Sequence, residues 1–350
     1  MDIRKIQKTG GSSFVVTLPK KWINALGLKK NDGVFVHVQP DSSLLILPQN
    51  KKNQLEKLKK TLFVSEETTS YLERELIGAY VMGYEIIEVQ ASRFITQDIR
   101  KVVRDFTTKV MGFEIVDESV DKITLKDIMN PTELPFDRAI KRMFNIVKSM
   151  HKNMLFALEN FNKDMALNVI SMDFEVNKLY WVVFRHLNAL LKNPAALITP
   201  AEEKISYKSA LNYFLVSRIL ERIGDHVGRV CKAILDLPKE KIPTETIQEL
   251  RSLSKKNFST LEECMGTLFT KDIMLLNKVF VSVDKLKPDF QEMRNIIQSR
   301  EAVYGLQLGE MLESIRRIGE YAKDIAEYMI NYIIDQELYP NQKGANKNKN

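Results

Sequence analysis

The feature that most restricts how this chain can fold is a repeat in its last two thirds. Leu220-Glu221-Arg222-Ile223-Gly224-Asp225-His226 returns as Ile315-Arg316-Arg317-Ile318-Gly319-Glu320-Tyr321. Upstream, Phe161-Asn162-Lys163-Asp164 is echoed by Phe269-Thr270-Lys271-Asp272, and Val176-Asn177-Lys178-Leu179 by Val283-Asp284-Lys285-Leu286. Three echoes in the same order, with spacing changed only by an insertion at 193–202, imply two copies of one structural unit. The periodicity is helical from about 136 to 335. Val216, Leu220, Ile223, Val227, Val230 and Ile234 are spaced 4, 3, 4, 3, 4, the seam of a helix bundle. Two antiparallel three-helix bundles, at about 136–236 and 243–335 within a helical domain 134–336, are the simplest way to bury such stripes.

The first 48 residues follow a different rule. Ile3–Gln7 alternates apolar and polar residues, Thr9-Gly10-Gly11-Ser12 supplies a turn, and Phe14–Leu18 is a β-branched run. Pro19 suits the first turn of a short helix over 20–25, which Gly27 ends. Asn31-Asp32-Gly33 reads as a hairpin turn, with strands at 34–38 and 44–47 around Pro40-Asp41. So few short elements cannot bury a core alone, and a second copy is expected to complete the module. Residues 49–61 read as a Lys-rich linker or helix start. Residues 62–130 read as mixed α/β: helices at 68–82 and 96–110, a strand at 85–89, and a hairpin of 113–116 with 122–125. Pro131 and Pro135 mark the next boundary. The expected fold class is multi-domain α+β, closing on a polar, disordered tail at 340–350.

Charge separates these parts. The formal net charge is +7, yet residues 1–60 carry 12 Lys/Arg against 4 Asp/Glu, and the remainder is almost neutral. A basic module on a neutral body is the electrostatic footprint of a nucleic-acid binder; a Lys-rich segment that only confers solubility is the alternative. Cys231 and Cys264 are the only cysteines, so no disulfide framework is expected, and a reducing, cytoplasmic setting suits them. The N-terminus has no apolar core of signal-peptide length. The apolar stretch around 76–87 is broken by Gly78, Gly83 and Glu85, so membrane insertion is not expected. No Walker loop, Gly-x-Gly-x-x-Gly or His-Glu-x-x-His occurs, and His37, His151, His186 and His226 are scattered, so an enzyme is not expected. Met143, Met150 and Met154 recur at helical spacing and read as core.

The run from Thr9 to Trp22, followed by Leu26-Gly27-Leu28 and Asp32-Gly33, resembles the AbrB/SpoVT swapped-hairpin DNA-binding family over most of residues 3–48. That resemblance implies two chains interlaced in one barrel, so a homodimer through this domain, with double-stranded DNA as partner. Carried over residue by residue, it assigns phosphate contacts to Arg4, Lys5, Lys8, Lys20 and Lys21. A basic pair that some members have late in the helix is Ile23-Asn24 here. Pairing would double the cationic set and with it the salt-dependent part of binding. A solvated lysine face is the plainer reading, and an antitoxin-like partner protein fits this domain but not the large helical one.

Residues 136–335 resemble the PhoU family of phosphate-signalling proteins, carried by Leu220-Glu221-Arg222-Ile223-Gly224-Asp225 and the two-repeat layout. The residues themselves say that Glu221 and Asp225, one helical turn apart and off the apolar seam, could chelate a hard or borderline cation. The resemblance implies multinuclear metal, often iron, at this spacing. Ion pairs with Arg218 and Arg229 would explain the same acids. His226 is a weaker candidate ligand, or a partly exposed surface histidine. In the second repeat Arg316 stands at the place of Glu221, Glu320 at that of Asp225, and Asp284 at that of Asn177. A guanidinium there opposes a cation, so Asp284, Glu320 and Asp324 form a weaker set. The combined expectation is a DNA-binding regulator of phosphate uptake with a helical sensor. The alternative is an accessory protein that contacts a phosphate-transporter ATPase or signalling protein, its hairpin domain serving only to dimerise.

Overall fold

The computed structural model describes residues 3–11, 13–38, 43–49, 58–65, 69–129, 134–192, 206–237, 242–300 and 304–337. The insertion at 193–202, the tail at 340–350, Pro131 and most of the Lys-rich segment lie outside them. The chain divides into two compact units, Met1–Glu56 with Ile198–Pro200, and the rest.

In the first unit β1 (Gln7–Thr9) and β2 (Ser13–Val15) form a hairpin in which Lys8 faces Phe14. Gly10 supplies the positive φ of +66° that its turn requires. Pro19 opens the short helix α1 (Lys20–Ala25). A second hairpin joins β3 (Val34–Val38) to β4 (Leu44–Pro48), and the two hairpins are separate sheets. Two expectations are corrected. Asn31-Asp32-Gly33 leads from the helix into β3 and is not a hairpin loop: Asp32 Oδ2 accepts from the Lys29 amide at 2.7 Å, closing a turn. The strand expected at 3–7 starts only at Gln7, because within one chain residues 3–6 have no neighbouring strand to pair with. Helix α1 buries no residue, and Ile3, Ile6, Phe14, Val15, Val16, Val34, Val36, Val38 and Leu44 are exposed.

The second unit starts with a four-stranded sheet of order β5-β6-β8-β7. Strand β5 (Lys59–Val64) runs parallel to β6 (Ile86–Ala91) through the crossover helix α2 (Thr69–Val81). After α3 (Gln97–Lys109), capped by the Thr96 hydroxyl, β7 (Phe113–Glu118) and β8 (Lys122–Asp127) add antiparallel. The linker assignment at 49–61 is corrected at its end: Lys59-Lys60 belongs to a strand, whose basic outer positions hid the apolar Leu62 and Val64. Ile87, Val89, Ile123 and Leu125 pack under the two helices with Tyr80, Phe106 and Phe113, whose rings meet edge to face at 5.5–6.4 Å.

Seven helices follow among the described residues. In the first repeat α4 (Phe136–Asn160), α5 (Lys163–Lys192) and α6 (Tyr207–Leu235) pack together. The second contains α7 (Thr244–Thr270), α8 (Ile273–Lys285), α9 (Lys287–Arg300) and α10 (Gly305–Glu337). Its middle helix is thus two pieces rather than one. Pro288 cannot donate to the carbonyl of Asp284, so the chain breaks at Leu286 and Pro288 takes a place in the next first turn. All six seam residues from Val216 to Ile234 are buried, and α6 packs along α10 to join the repeats. Met143, Met150 and Met154 are fully buried in the same core.

The sheet layer is anchored on α5. Arg185 reaches across to the Asp127 carboxylate at 2.5 Å and donates to the Tyr80 carbonyl, while Asn188 donates to the Val81 carbonyl at 3.0 Å and Lys192 to that of Met82. These carbonyls lie where the ladder of α2 ends, that of Tyr80 also accepting from the Gly83 amide at 3.0 Å, and cations there meet the negative end of the helix dipole. Trp181 and Phe184 pack on the same core. Among the described residues, no helix is long and apolar enough to cross a membrane.

Candidate functional site

The repeated Ile-Gly pair lies where a neighbouring helix comes close. A Cβ at Gly224 would sit 3.0 Å from Asp173 Oδ1 of α5, and one at Gly319 would sit 2.1 Å from Asn257 Oδ1 of α7. Glycine in mid-helix is unfavourable by itself, and here it leaves bare backbone against which a polar side chain rests. Asn257 is buried and donates to the Ile315 carbonyl at 2.6 Å.

Asp173 brings a third acid to Glu221 and Asp225. Its Oδ2 accepts from Asn177 Nδ2 at 3.1 Å, and its Oδ1 is buried with no partner. Burial, then the charge of Asp225, push the Asp173 carboxyl up to about 6. Glu221 is also raised, first by burial and then by Asp225, with Arg218 opposing. Among the described residues neither Glu221 nor Asp225 forms an ion pair, so the alternative pairing with Arg218 and Arg229 is not made. Arg218 instead lies over the Tyr180 ring and donates to its hydroxyl at 3.0 Å. The acids lie off the seam as expected, but they are half-buried against α5 rather than free in solvent. Among the described residues no three His, Cys, Asp or Glu side chains are gathered closely enough to hold a metal ion.

His226 is buried, which corrects the expectation of a partly exposed side chain. Its Nε2 lies 3.3 Å from the Tyr321 hydroxyl. Burial, then Arg229 and Arg317, bring its imidazole down to about 4, so it is neutral near pH 7. His226, Glu221 and Asp225 line one cavity of about 470 Å³ with Arg222, Arg229 and Arg317.

The second repeat is internally neutralised. Arg316 holds Glu313 in a bidentate pair at 2.7 and 2.9 Å and reaches Glu320 at 3.4 Å. Lys323 lies between Asp284 (3.3 Å) and Glu320 (3.5 Å), and Lys287 adds a second bridge to Asp284 at 2.8 Å. Asp324 does not join them in an ion pair. Burial raises its carboxyl, and Arg317 is the chief opposing charge.

In the first unit Arg4, Lys5, Lys8, Lys20 and Lys21 are all exposed, Arg4 with Nη1 donating to the Thr17 hydroxyl at 2.9 Å. Cys231 and Cys264 are buried, and burial pushes both thiols up to about 12, where no reactive thiolate forms. Sequence reasoning missed Asp173, although its spacing of four from Asn177 repeats that of Glu221 and Asp225. It also missed Arg317 and Tyr321, which reach the cavity only because α10 packs on α6.

Comparison with known proteins assigns the two ends of the chain separately. Residues 140–234 match the PhoU domain, and residues 7–54 match the MazE family, described as antidote-toxin recognition MazE, bacterial antitoxin. The phosphate-specific transport system accessory protein PhoU homolog 1 of Thermotoga maritima is 21% identical over 197 residues, covering 55% of this chain and 82% of that protein. The corresponding PhoU homolog of Clostridium acetobutylicum is 25% identical over 195 residues, covering 55% and 80%. Among solved structures, PhoU from Pseudomonas aeruginosa aligns with a TM-score of 0.49 at 17% identity, covering 57% of this chain and 96% of that one. The phosphate transport system regulatory protein PhoU from Streptococcus pneumoniae aligns at 0.47 and 18%, covering 58% and 94%. The chain thus joins a MazE/AbrB-like N-terminal region to a PhoU-like helical region.

Proposed function

We propose that the chain is a non-enzymatic regulator of phosphate uptake: a dimeric N-terminal module binds duplex DNA, and the helical unit serves as sensor or interaction surface. The observation that carries the DNA half is the state of the hairpin unit. It has nine large apolar residues in solvent and a helix that buries nothing. Exposed apolar area of this kind marks an interface, and a second copy interlacing its hairpins would cover it. Dimerisation would also double Arg4, Lys5, Lys8, Lys20 and Lys21, multiplying counter-ion release from the DNA. The word phosphate rests on the PhoU-like region and on what its relatives are named for.

A divalent cation such as iron would take Glu221 and Asp225 with Asp173 only if the three side chains closed on it, since they do not stand together as a ligand set. Their donor chemistry suits it: these are hard carboxylates with no ion-pair partner among the described residues, and one buried oxygen has nothing to bond. A bound cation would offset the burial, and then the repulsion by Asp225, that raise Asp173 and Glu221.

The second reading is an accessory protein that acts by contact with a transporter ATPase or signalling protein, favoured because both curated relatives carry the word accessory in their names. Gel-shift titration of the 350-residue chain with genomic DNA fragments at several salt concentrations decides between them. Lys20→Glu with Lys21→Glu is expected to weaken binding to every fragment and to flatten the salt slope. Unchanged affinity in the double variant would remove the DNA reading and leave the accessory one.

A further inference from the structure

The groove between α6 and α10 is lined by four arginines and three carboxylates. Its cavity of about 470 Å³ lies in the ~300–1,000 Å³ span of small-molecule sites. One wall is a stripe of α6 carrying Arg222, His226 and Arg229; the other is a stripe of α10 carrying Glu313, Arg317 and Tyr321. Among the described residues Arg222, Arg229 and Arg317 form no ion pair, and Glu313 is already held by Arg316. Glu221 and Asp225 line the same cavity with Arg218, outside ion-pair distance of any arginine among the described residues, and Arg222 is one of the charges that lower Glu221.

A second observation points the same way. Arg317 Nη2 donates to the Tyr321 hydroxyl at 3.2 Å, and that hydroxyl lies 3.3 Å from His226 Nε2. The other ring nitrogen, Nδ1, is buried with no partner. A buried ring nitrogen left unsatisfied calls for a hydrogen-bond partner.

We infer that this cavity binds a small phosphoryl oxoanion, held by Arg222, Arg229 and Arg317 with Nδ1 of His226 as a further donor. Planar guanidiniums arriving from two helices suit a tetrahedral group with three terminal oxygens better than a flat carboxylate, which one guanidinium satisfies. The volume admits pyrophosphate or a nucleotide as well as inorganic phosphate. This goes beyond the regulatory reading, because the pocket stands on its own charges whether or not the chain binds DNA.

Isothermal titration of the whole chain, at constant ionic strength and with chelator present, tests it with three probes: inorganic phosphate, pyrophosphate and ATP. Saturable binding of at least one is expected, at one site per chain. Arg222 and Arg229 are exposed, so Arg222→Gln with Arg229→Gln leaves the fold intact and is expected to weaken binding at least about tenfold. His226→Phe is expected to weaken it further in that background. Lys152→Gln with Lys278→Gln, an equal loss of exposed charge elsewhere, is expected to change nothing. Three results would overturn the proposal: no saturable binding of any probe at millimolar concentration; binding that appears only after a divalent metal is added, which would put the anion on a carboxylate-bound cation; or affinity of the double arginine variant within about twofold of the parent.

Discussion

Arg185 is the residue whose removal has the most consequential and most calculable effect. It is 6% exposed, pairs with an Asp127 carboxylate that is 10% exposed, and stacks its guanidinium over Tyr80 and Phe113 at 5.0 and 5.2 Å. Arg185→Met keeps the volume of the stem but leaves the Asp127 charge buried without its ion-pair partner, while the Tyr80 carbonyl keeps only the Gly83 amide as donor. Breaking one partner of a buried pair costs about 3–5 kcal/mol. Asp127→Asn removes the other charge and carries a similar cost, about 3–5 kcal/mol, because Arg185 is then the stranded ion. In the double variant no unpaired charge is left, so the two costs do not add: the sum of the singles is expected to exceed the double by about 2–3 kcal/mol. Urea unfolding followed by the fluorescence of Trp181, which packs at this junction, measures all four stabilities once Trp22→Phe has removed the other tryptophan. Costs that add to within about 0.5 kcal/mol would refute the claim that the two charges are coupled, and with it the account of how the sheet layer is anchored.

Three further outcomes follow from the same geometry. Gly319→Ala forces a Cβ to within 2.1 Å of Asn257 Oδ1, and is expected to cost about 1–3 kcal/mol by overpacking. Gly228→Ala, also mid-helix but with nothing within 4 Å of its Cβ, is expected to stabilise by up to about 1 kcal/mol, so thermal melts of the pair should move in opposite directions. The folded-state pKa of Asp173, raised to about 6, means the native state binds a proton there that the unfolded state has released. In chelator, stability contributed by this group is therefore full below about pH 4 and lost as pH rises through 6. Asp173→Asn should abolish that decline; a decline of unchanged size in the variant would assign it to another group. Metal content measured by elemental analysis should fall sharply in Asp225→Ala and little in Glu320→Ala, since Arg316 and Lys323 already neutralise the second site. Equal losses would defeat the asymmetry between repeats.

Local spacing carried a large part of this architecture. The 4, 3, 4, 3, 4 seam from Val216 to Ile234 is buried as its period requires, because an apolar stripe on a helix has nowhere to go but a neighbouring helix. The turn at Gly10 and the short helix opened by Pro19 were legible for the same reason: they act within four residues of themselves. The expected acids at 221 and 225 were likewise visible as neighbours on one helix face.

Only the tertiary structure decided what depends on separate segments meeting. Strand β5 was hidden because Lys59 and Lys60 mask a short apolar alternation, and its partner β6 lies a whole helix away in the chain. The break before Pro288 divided a helix that the repeat taken alone makes continuous. Asp173, Arg317 and Tyr321 come to Glu221, Asp225 and His226 only through the packing of α5 and α10 on α6. The charge state of each residue follows from the same packing. Glu221 and Asp225 are spaced for ion pairs with Arg218 and Arg229, yet Arg218 donates to the Tyr180 hydroxyl and Glu221 feels the repulsion of Asp225 and Asp173. Spacing along a helix determines which side chains share a face; burial and the neighbouring helix determine which partners they find there.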